Sequence, residues 1–177
     1  MRILIVFITL VLGALIWGIG HFYQGTRGKV FEQWETANTT FRVRATAYRE
    51  KALIIPGAYY VFQSAPIGSE KWQEIMTLKF DDPIPIPREQ IRFVNERTAY
   101  AFMGEKYAVT IDGGDTWKLW NAESELRDRI HVHSRSIKSV NIAADGTGSM
   151  KLYENPFEQG PQPTLHTKDY GRHWQLE

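Results

Sequence analysis

Thr110-Ile111-Asp112-Gly113-Gly114-Asp115-Thr116-Trp117 is the stretch on which the reading of this chain turns. It returns without a gap as Thr167-Lys168-Asp169-Tyr170-Gly171-Arg172-His173-Trp174. Each copy has a hydroxyl residue, Asp two positions on, Gly two further, and Trp three after that; a short apolar run follows, Leu119-Trp120 in one and Leu176 in the other. A decayed third version, Ser64-Ala65-Pro66-Ile67-Gly68-Ser69-Glu70-Lys71-Trp72, lacks the Asp and runs one residue longer. Its tryptophan and the two others are spaced by 45 and 57 residues, the scale of a repeated supersecondary unit.

Physical chemistry gives that spacing a purpose. A strand arrives, and the Asp carboxylate accepts hydrogen bonds from N–H groups of its own turn. Gly supplies the positive φ that reverses the chain, and the hydroxyl satisfies another backbone group. Trp then folds back to bury its ring beneath the hairpin. Thr110, Asp112, Gly114, Thr116 and Trp117, with Thr167, Asp169, Gly171 and Trp174, are therefore expected to be structural, and their carboxylates poorly placed for chemistry. If the Trp117 ring is buried, alanine there should cost about 3–5 kcal/mol.

Outward from these loops the texture is β. Phe41, Val43 and Ala45 alternate strictly with polar partners, and short apolar runs follow at ALII, AYYVFQ, IMTLKF, IRFV, TAYAFM, YAVTI, WKLW, IHVH, SVNIA, MKLY and TLHT. Turn signals such as Pro56-Gly57 and Asp145-Gly146 separate them, the pattern of a sandwich, barrel or propeller. Asp81 to Pro87, with three prolines, cannot be a central strand and reads as an extended connector. Asn155 to Pro163 reads as a surface loop. Gln24 to Thr40 reads as a spacer in which Val30, Phe31 and Trp34 form one or two helical turns.

The octapeptide resembles the Asp-box, or BNR, pattern of sialidases and sortilin-type propellers, and Thr110 to Trp117 matches it at every defined position. Ile91 to Trp120 as a whole looks like one blade of the photosystem II assembly factor-like propellers, Ile137 to Leu176 looks like a second, and Ala52 to Phe80 more weakly like a first. The resemblance implies an all-β domain of antiparallel Asp-box β-meanders, about three propeller-like blades, in an incomplete or very small propeller. Those families usually have six or seven blades. Either the sheets close in a smaller arrangement or copies associate as a homo-oligomer to complete a ring.

The N-terminus decides the expected compartment. Ile3 to Gly20 is 18 residues with neither charge nor proline, and Ile3 to Tyr23 as a helix would span roughly 30 Å, one bilayer core. Trp17, Phe22 and Tyr23 stand where an aromatic belt would meet the headgroups. A cleaved signal peptide competes, but its apolar run would be shorter and would end in small residues. The expected organisation is a transmembrane anchor at 1–23, a spacer at 24–40 and a β domain at 41–177, with the domain extracytoplasmic. Arg2 on one side and Arg27 with Lys29 on the other nearly balance, so the orientation follows from the short tail before the helix.

Composition narrows function further. Net charge is +1, and removing the first 23 residues takes away only Arg2, leaving 20 cations against 20 anions. Nucleic-acid binding thus lacks its electrostatic footprint. Without cysteine there is no disulfide, thiol nucleophile or thiolate metal site. His131 and His133 share one face of an expected strand, and His166 and His173 lie in the last repeat; imidazole pairs alone are weak grounds for a metal, and neither metal nor cofactor is expected. Phe41-Arg42-Val43-Arg44 faintly resembles the F-R-I-P signature of sialidases, with Arg44 replacing the proline. Sialidase chemistry, as the resemblance implies it, needs an arginine triad and a Tyr–Glu pair across a full ring, and no paired carboxylates mark a cleft here. The chain is expected not to be an enzyme. Arg92, Arg97, Tyr100, His131, His133 and Arg135 form the candidate binding face, and the basic run from Arg127 to Lys138 reads as a solvated loop. The expected function is a membrane-anchored, non-catalytic module binding a protein partner in assembly or protection, on the pattern of an immunity protein; carbohydrate binding or a remnant glycosidase is the alternative.

Overall fold

The computed structural model describes residues 26–51, 57–126, 136–153 and 163–177. Among these the chain forms three four-stranded antiparallel sheets in sequence, each a simple meander. The first holds β1 (Thr26–Ala37), β2 (Phe41–Lys51), β3 (Ala58–Pro66) and β4 (Gln73–Phe80). The second holds β5 (Ile91–Phe93), β6 (Ala99–Met103), β7 (Lys106–Thr110) and β8 (Lys118–Asn121), and the third holds β9 (Ile137–Ile142), β10 (Gly148–Leu152), β11 (Thr164–Thr167) and β12 (Gln175–Leu176). One turn of 3₁₀ helix, Arg88–Gln90, leads into β5, and a single helical turn, α1 (Ala122–Glu125), follows β8. The all-β, antiparallel-meander expectation stands.

Two cores lie between three sheets. Phe41, Val43, Ala45, Tyr60, Phe62, Met76 and Leu78 of the first sheet meet Ala99, Ala101, Met103 and Ala108 of the second. On the other side Tyr100, Phe102, Tyr107 and Val109 meet Val140, Met150, Leu152 and Leu165 of the third. Period-2 alternation explains how one strand serves both. In β6 the small Ala99 and Ala101 face the first sheet while Tyr100 and Phe102 face the third, so all five residues of β6 are buried. The middle sheet is the filling of an open stack, which is why its strands read as continuous apolar runs.

Two expectations are corrected. Gln24 to Thr40 is not a spacer with helical turns: from Thr26 to Ala37 it is β1, the longest strand, paired with β2 from Thr26↔Lys51 to Ala37↔Arg42. Pairing decides this. Asn38 Oδ1 accepts from the N–H groups of Thr40 and Phe41 at 2.8 and 2.9 Å, closing a tight Asx turn that brings β1 back along β2. Trp34 then packs on the first core. The weak first repeat is accordingly a full sheet beginning at Thr26, not at Ala52.

Asp81 to Pro87 carries no strand. Tyr60 holds it, donating from its hydroxyl to the Ile84 carbonyl at 2.7 Å and accepting from the Ile84 N–H at 2.6 Å; Ile86, 3% exposed, joins the first core. The apolar N-terminal segment, the ALII and IHVH runs and all but the last residue of the Asn155–Pro163 loop lie outside the described residues. No helix among the described residues is long and apolar enough to cross a membrane.

Candidate functional site

Each of the two octapeptides joins the third strand of its sheet to the fourth, and their hydrogen bonds superimpose. In the first, the Thr110 hydroxyl donates to Asp112 Oδ1 at 2.7 Å and accepts from the Gly114 N–H at 3.0 Å. The Thr116 N–H donates to Asp112 Oδ1 at 3.0 Å and its hydroxyl to Oδ2 at 2.5 Å. In the second, Thr167 donates to Asp169 Oδ1 at 2.9 Å and accepts from the Gly171 N–H at 2.9 Å. The His173 N–H donates to Asp169 Oδ1 at 3.0 Å, and its Nδ1 lies 2.5 Å from Oδ2. Both oxygens of each carboxylate are thus engaged by their own loop. Partial burial works to raise the Asp112 carboxyl, but the hydrogen bonds from Thr116 and Thr110 outweigh it and hold it below the ordinary range. Asp169 behaves alike: burial opposes, and His173 and Thr167 prevail.

The glycines complete the turns. Gly114 and Gly171 have φ of 90° and 82°. A Cβ at Gly114 would sit 2.8 Å from the Phe41 ring, and one at Gly171 would collide with Tyr107. Each loop therefore pins its own sheet to the one before. Trp117 does so half-buried, donating from Nε1 to Ser64 Oγ at 3.0 Å and meeting Phe41 edge-on. Trp174, 8% exposed, stands edge-on to Tyr107 at 5.5 Å, and its buried Nε1 has no partner.

The decayed copy occupies the same β3–β4 position in the first sheet, before which the described residues hold no other sheet. Trp72 instead lies against the guanidinium groups of Arg42 and Arg44, 4.5 and 4.0 Å from its centroid. Arg42 also donates to Glu35 at 3.2 Å and to the Ser69 carbonyl at 2.5 Å, and Arg44 to Gln63 at 2.8 Å. Phe41 and Val43 point the other way, into the core, so the Phe-Arg-Val-Arg run spends its arginines on the outer face of its own sheet.

Three members of the candidate binding face, Arg92, Arg97 and Tyr100, lie among the described residues, and one of them is core. Tyr100 is 4% exposed and donates to the Val140 carbonyl at 3.0 Å, tying the second sheet to the third, and burial raises its hydroxyl above the ordinary range. This is a correction: β6 is sandwiched, so a residue read as blade surface is core. Arg92 is exposed on β5, and Arg97 is exposed in the β5–β6 turn, where its carbonyl accepts from the Gly113 N–H at 2.8 Å. His131, His133 and Arg135 lie outside the described residues, as do residues 127–135 of the basic run; Lys138 is exposed.

A different surface carries a broad concavity. The outer face of the third sheet bears a groove of about 950 Å³. Its floor is one rung across four strands, Asn141, Ser149, His166 and Gln175, set opposite one another by register. Asp169 and His173 form one rim; His173 Nε2 lies 3.0 Å from Lys118 Nζ, and His166 Nε2 lies 3.0 Å from Glu177. The amides, hydroxyl and imidazoles of this rung can donate and accept hydrogen bonds, and no group of three His, Cys, Asp or Glu among the described residues could hold a metal. The sequence signal was present as period-2 polar positions, but nothing in one strand indicates that four such positions align. Set beside protein-family models, curated proteins and solved structures, the chain matches none of them.

Proposed function

We propose that this chain is a non-catalytic binding module, tethered to a membrane by Ile3 to Gly20 with its β domain outside the cytoplasm, that engages a protein partner in assembly or protection. In this reading the octapeptides are Asp-boxes, and the three meanders are propeller-like blades in an open stack of three. One observation carries the non-catalytic part: the two carboxylates that the repeats place most conspicuously are each consumed by their own loop. A carboxylate held ionised by several donors is a poor proton donor or base near neutral pH. The stack also supplies what a binding module needs, rigid sheets with loops and a broad groove at one end.

Both ends of the stack are polar: Arg42, Arg44 and Gln63 at one, Asn141, Ser149 and His166 at the other. Polar end faces favour a finished three-blade unit over copies stacking into a ring. The composition of the groove floor favours one second reading, a carbohydrate ligand, because amide, hydroxyl and imidazole groups suit a sugar's hydroxyls.

The test places a photoreactive side chain at Lys168, beside the groove, and at Lys71, at the other end of the stack, in the full chain in its native membrane. One dominant protein adduct at 168 and not at 71 supports the module. Absence of a protein adduct together with retention on a glycan array, lost in His166→Ala, transfers the function to carbohydrate binding.

A further inference from the structure

We propose that the root of the first sheet is a second membrane contact, a cationic and apolar patch that lies on anionic lipid headgroups. The inference rests on the membrane reading above and says where the folded domain touches the bilayer. Gly20 and Thr26 are six residues apart, so β1 begins within about 20 Å of the end of the apolar segment, and aromatic Phe22 and Tyr23 lie between them. Register then fixes what shares that end: Thr26 lies opposite Lys51 and Arg27 opposite Glu50. Arg27, Lys29, Arg49 and Lys51 are all exposed there. Val30 and Phe31, 49% and 37% exposed, lie among them, and Arg49 stands over the Phe31 ring at 5.9 Å.

Charge at this end is not cancelled. Glu50 is 5% exposed and bound to Lys79 at 2.7 Å, and Glu74 is taken by Arg27 at 3.1 Å. Among the described residues no carboxylate lies within ion-pair distance of Lys29, Arg49 or Lys51. Asp81 and Asp82 follow β4, the opposite edge of the sheet, three strand spacings or about 14 Å away. From β1 that exceeds the screening length of about 10 Å at 0.1 M salt, and from Arg49 and Lys51 on β2, two spacings away, it is comparable to it. Three cations with no carboxylate partner among the described residues and one paired one, set around two exposed apolar side chains and tied by a short chain to an apolar segment, fit the negative surface and shallow apolar layer of an anionic leaflet.

The absence of cysteine makes the test direct. A fluorophore is placed on Val30→Cys or, two sheets away, on Ser149→Cys of the full chain, in vesicles of phosphatidylcholine with and without phosphatidylglycerol and with a lipid-borne quencher. The label at 30 should be quenched several-fold more than the label at 149 in anionic vesicles, and the excess should fall by about half or more at 0.5 M salt. Replacing the four cations together (R27Q, K29Q, R49Q, K51Q) should reduce quenching at 30 to its level in neutral vesicles. Equal quenching at 30 and 149 in anionic vesicles, or an excess indifferent to salt and to the four substitutions, overturns the patch. Flotation on neutral vesicles reports the apolar anchor separately: a chain that fails to float there loses the anchor, while quenching in anionic vesicles still decides the patch.

Discussion

The central and the last octapeptide loops share one hydrogen-bond skeleton and differ in what they press against. Thr110–Asp112–Thr116 and Thr167–Asp169–His173 make the same bonds from the same positions, although an imidazole replaces a hydroxyl in the second. Gly113 and Tyr170 both take a positive φ, 82° and 62°, although only one is glycine. The tryptophans diverge more. Trp117 is half-buried with its N–H satisfied by Ser64, whereas Trp174 is buried with its N–H unpaired. The turn is thus local chemistry that tolerates substitution, and the tryptophan's contribution is set by the neighbouring sheet.

This contrast can be broken most directly at the two rings. Trp174→Ala should cost about 3–5 kcal/mol in denaturant unfolding, because it opens a cavity against Tyr107 and Trp120. Trp117→Ala should cost less, about 2 kcal/mol, since part of that ring already faces water; the larger loss expected of a buried ring does not apply. Equal losses at both sites would end the distinction.

Next in size is the glycine pair formed by Gly171 and Gly68. Gly171→Ala combines a left-handed φ with collision against Tyr107 and should cost about 2–3 kcal/mol. Gly68→Ala, at φ 77° with open space around it, should cost about 1 kcal/mol, the conformational part alone. Similar melting shifts for the two would mean that the loop does not rest on the preceding sheet.

The carboxylates come third. Asp112→Ala and Asp169→Ala should each cost about 1–3 kcal/mol by stranding their donors. Both native carboxyls titrate below their unfolded value, so each adds stability that is complete above the ordinary Asp range and is lost as pH falls through the lowered folded value. The double variant should therefore show a shallower stability loss on acidification below about pH 4 than the parent. An unchanged acid limb would remove these two groups from the account.

The smallest effects sharpen the comparison most. Trp117→Phe loses the bond to Ser64 and should cost about 1 kcal/mol beyond its lost area, whereas Trp174→Phe also discards an unpaired buried N–H and should come closer to neutral. The reverse order would mean that the Trp174 N–H has a partner in solution.

The loops were legible because every atom they use lies within eight residues. Thr110, Asp112 and Gly114 satisfy one another whatever surrounds them, so spacing alone carried their hydrogen bonding. The middle strands were legible as strands for the same reason, their β-branched and aromatic runs being punctuated by turns. Tyr100 was misread because alternation assigns residues to two faces without saying that both are covered. β1 was missed because EQWETA holds one large apolar residue, Trp34, among Glu32, Gln33, Glu35 and Thr36, and only the Asn38 turn hinted that it returns along β2. The polar rung under the groove was invisible for a related reason: Asn141, Ser149, His166 and Gln175 come from four strands and meet only through register.

By itself, then, the sequence determined an all-β chain of meanders, the two self-capped loops, and an uncharged apolar run from Ile3 to Gly20. Tertiary structure alone decided that three sheets stack with the middle one buried on both faces, that β1 completes the first, and that Trp72 rests on Arg42 and Arg44. The physical reason is range. A hairpin turn is settled by bonds among neighbours, while burial of a face depends on apolar area brought from residues far away in the chain, which no local pattern encodes.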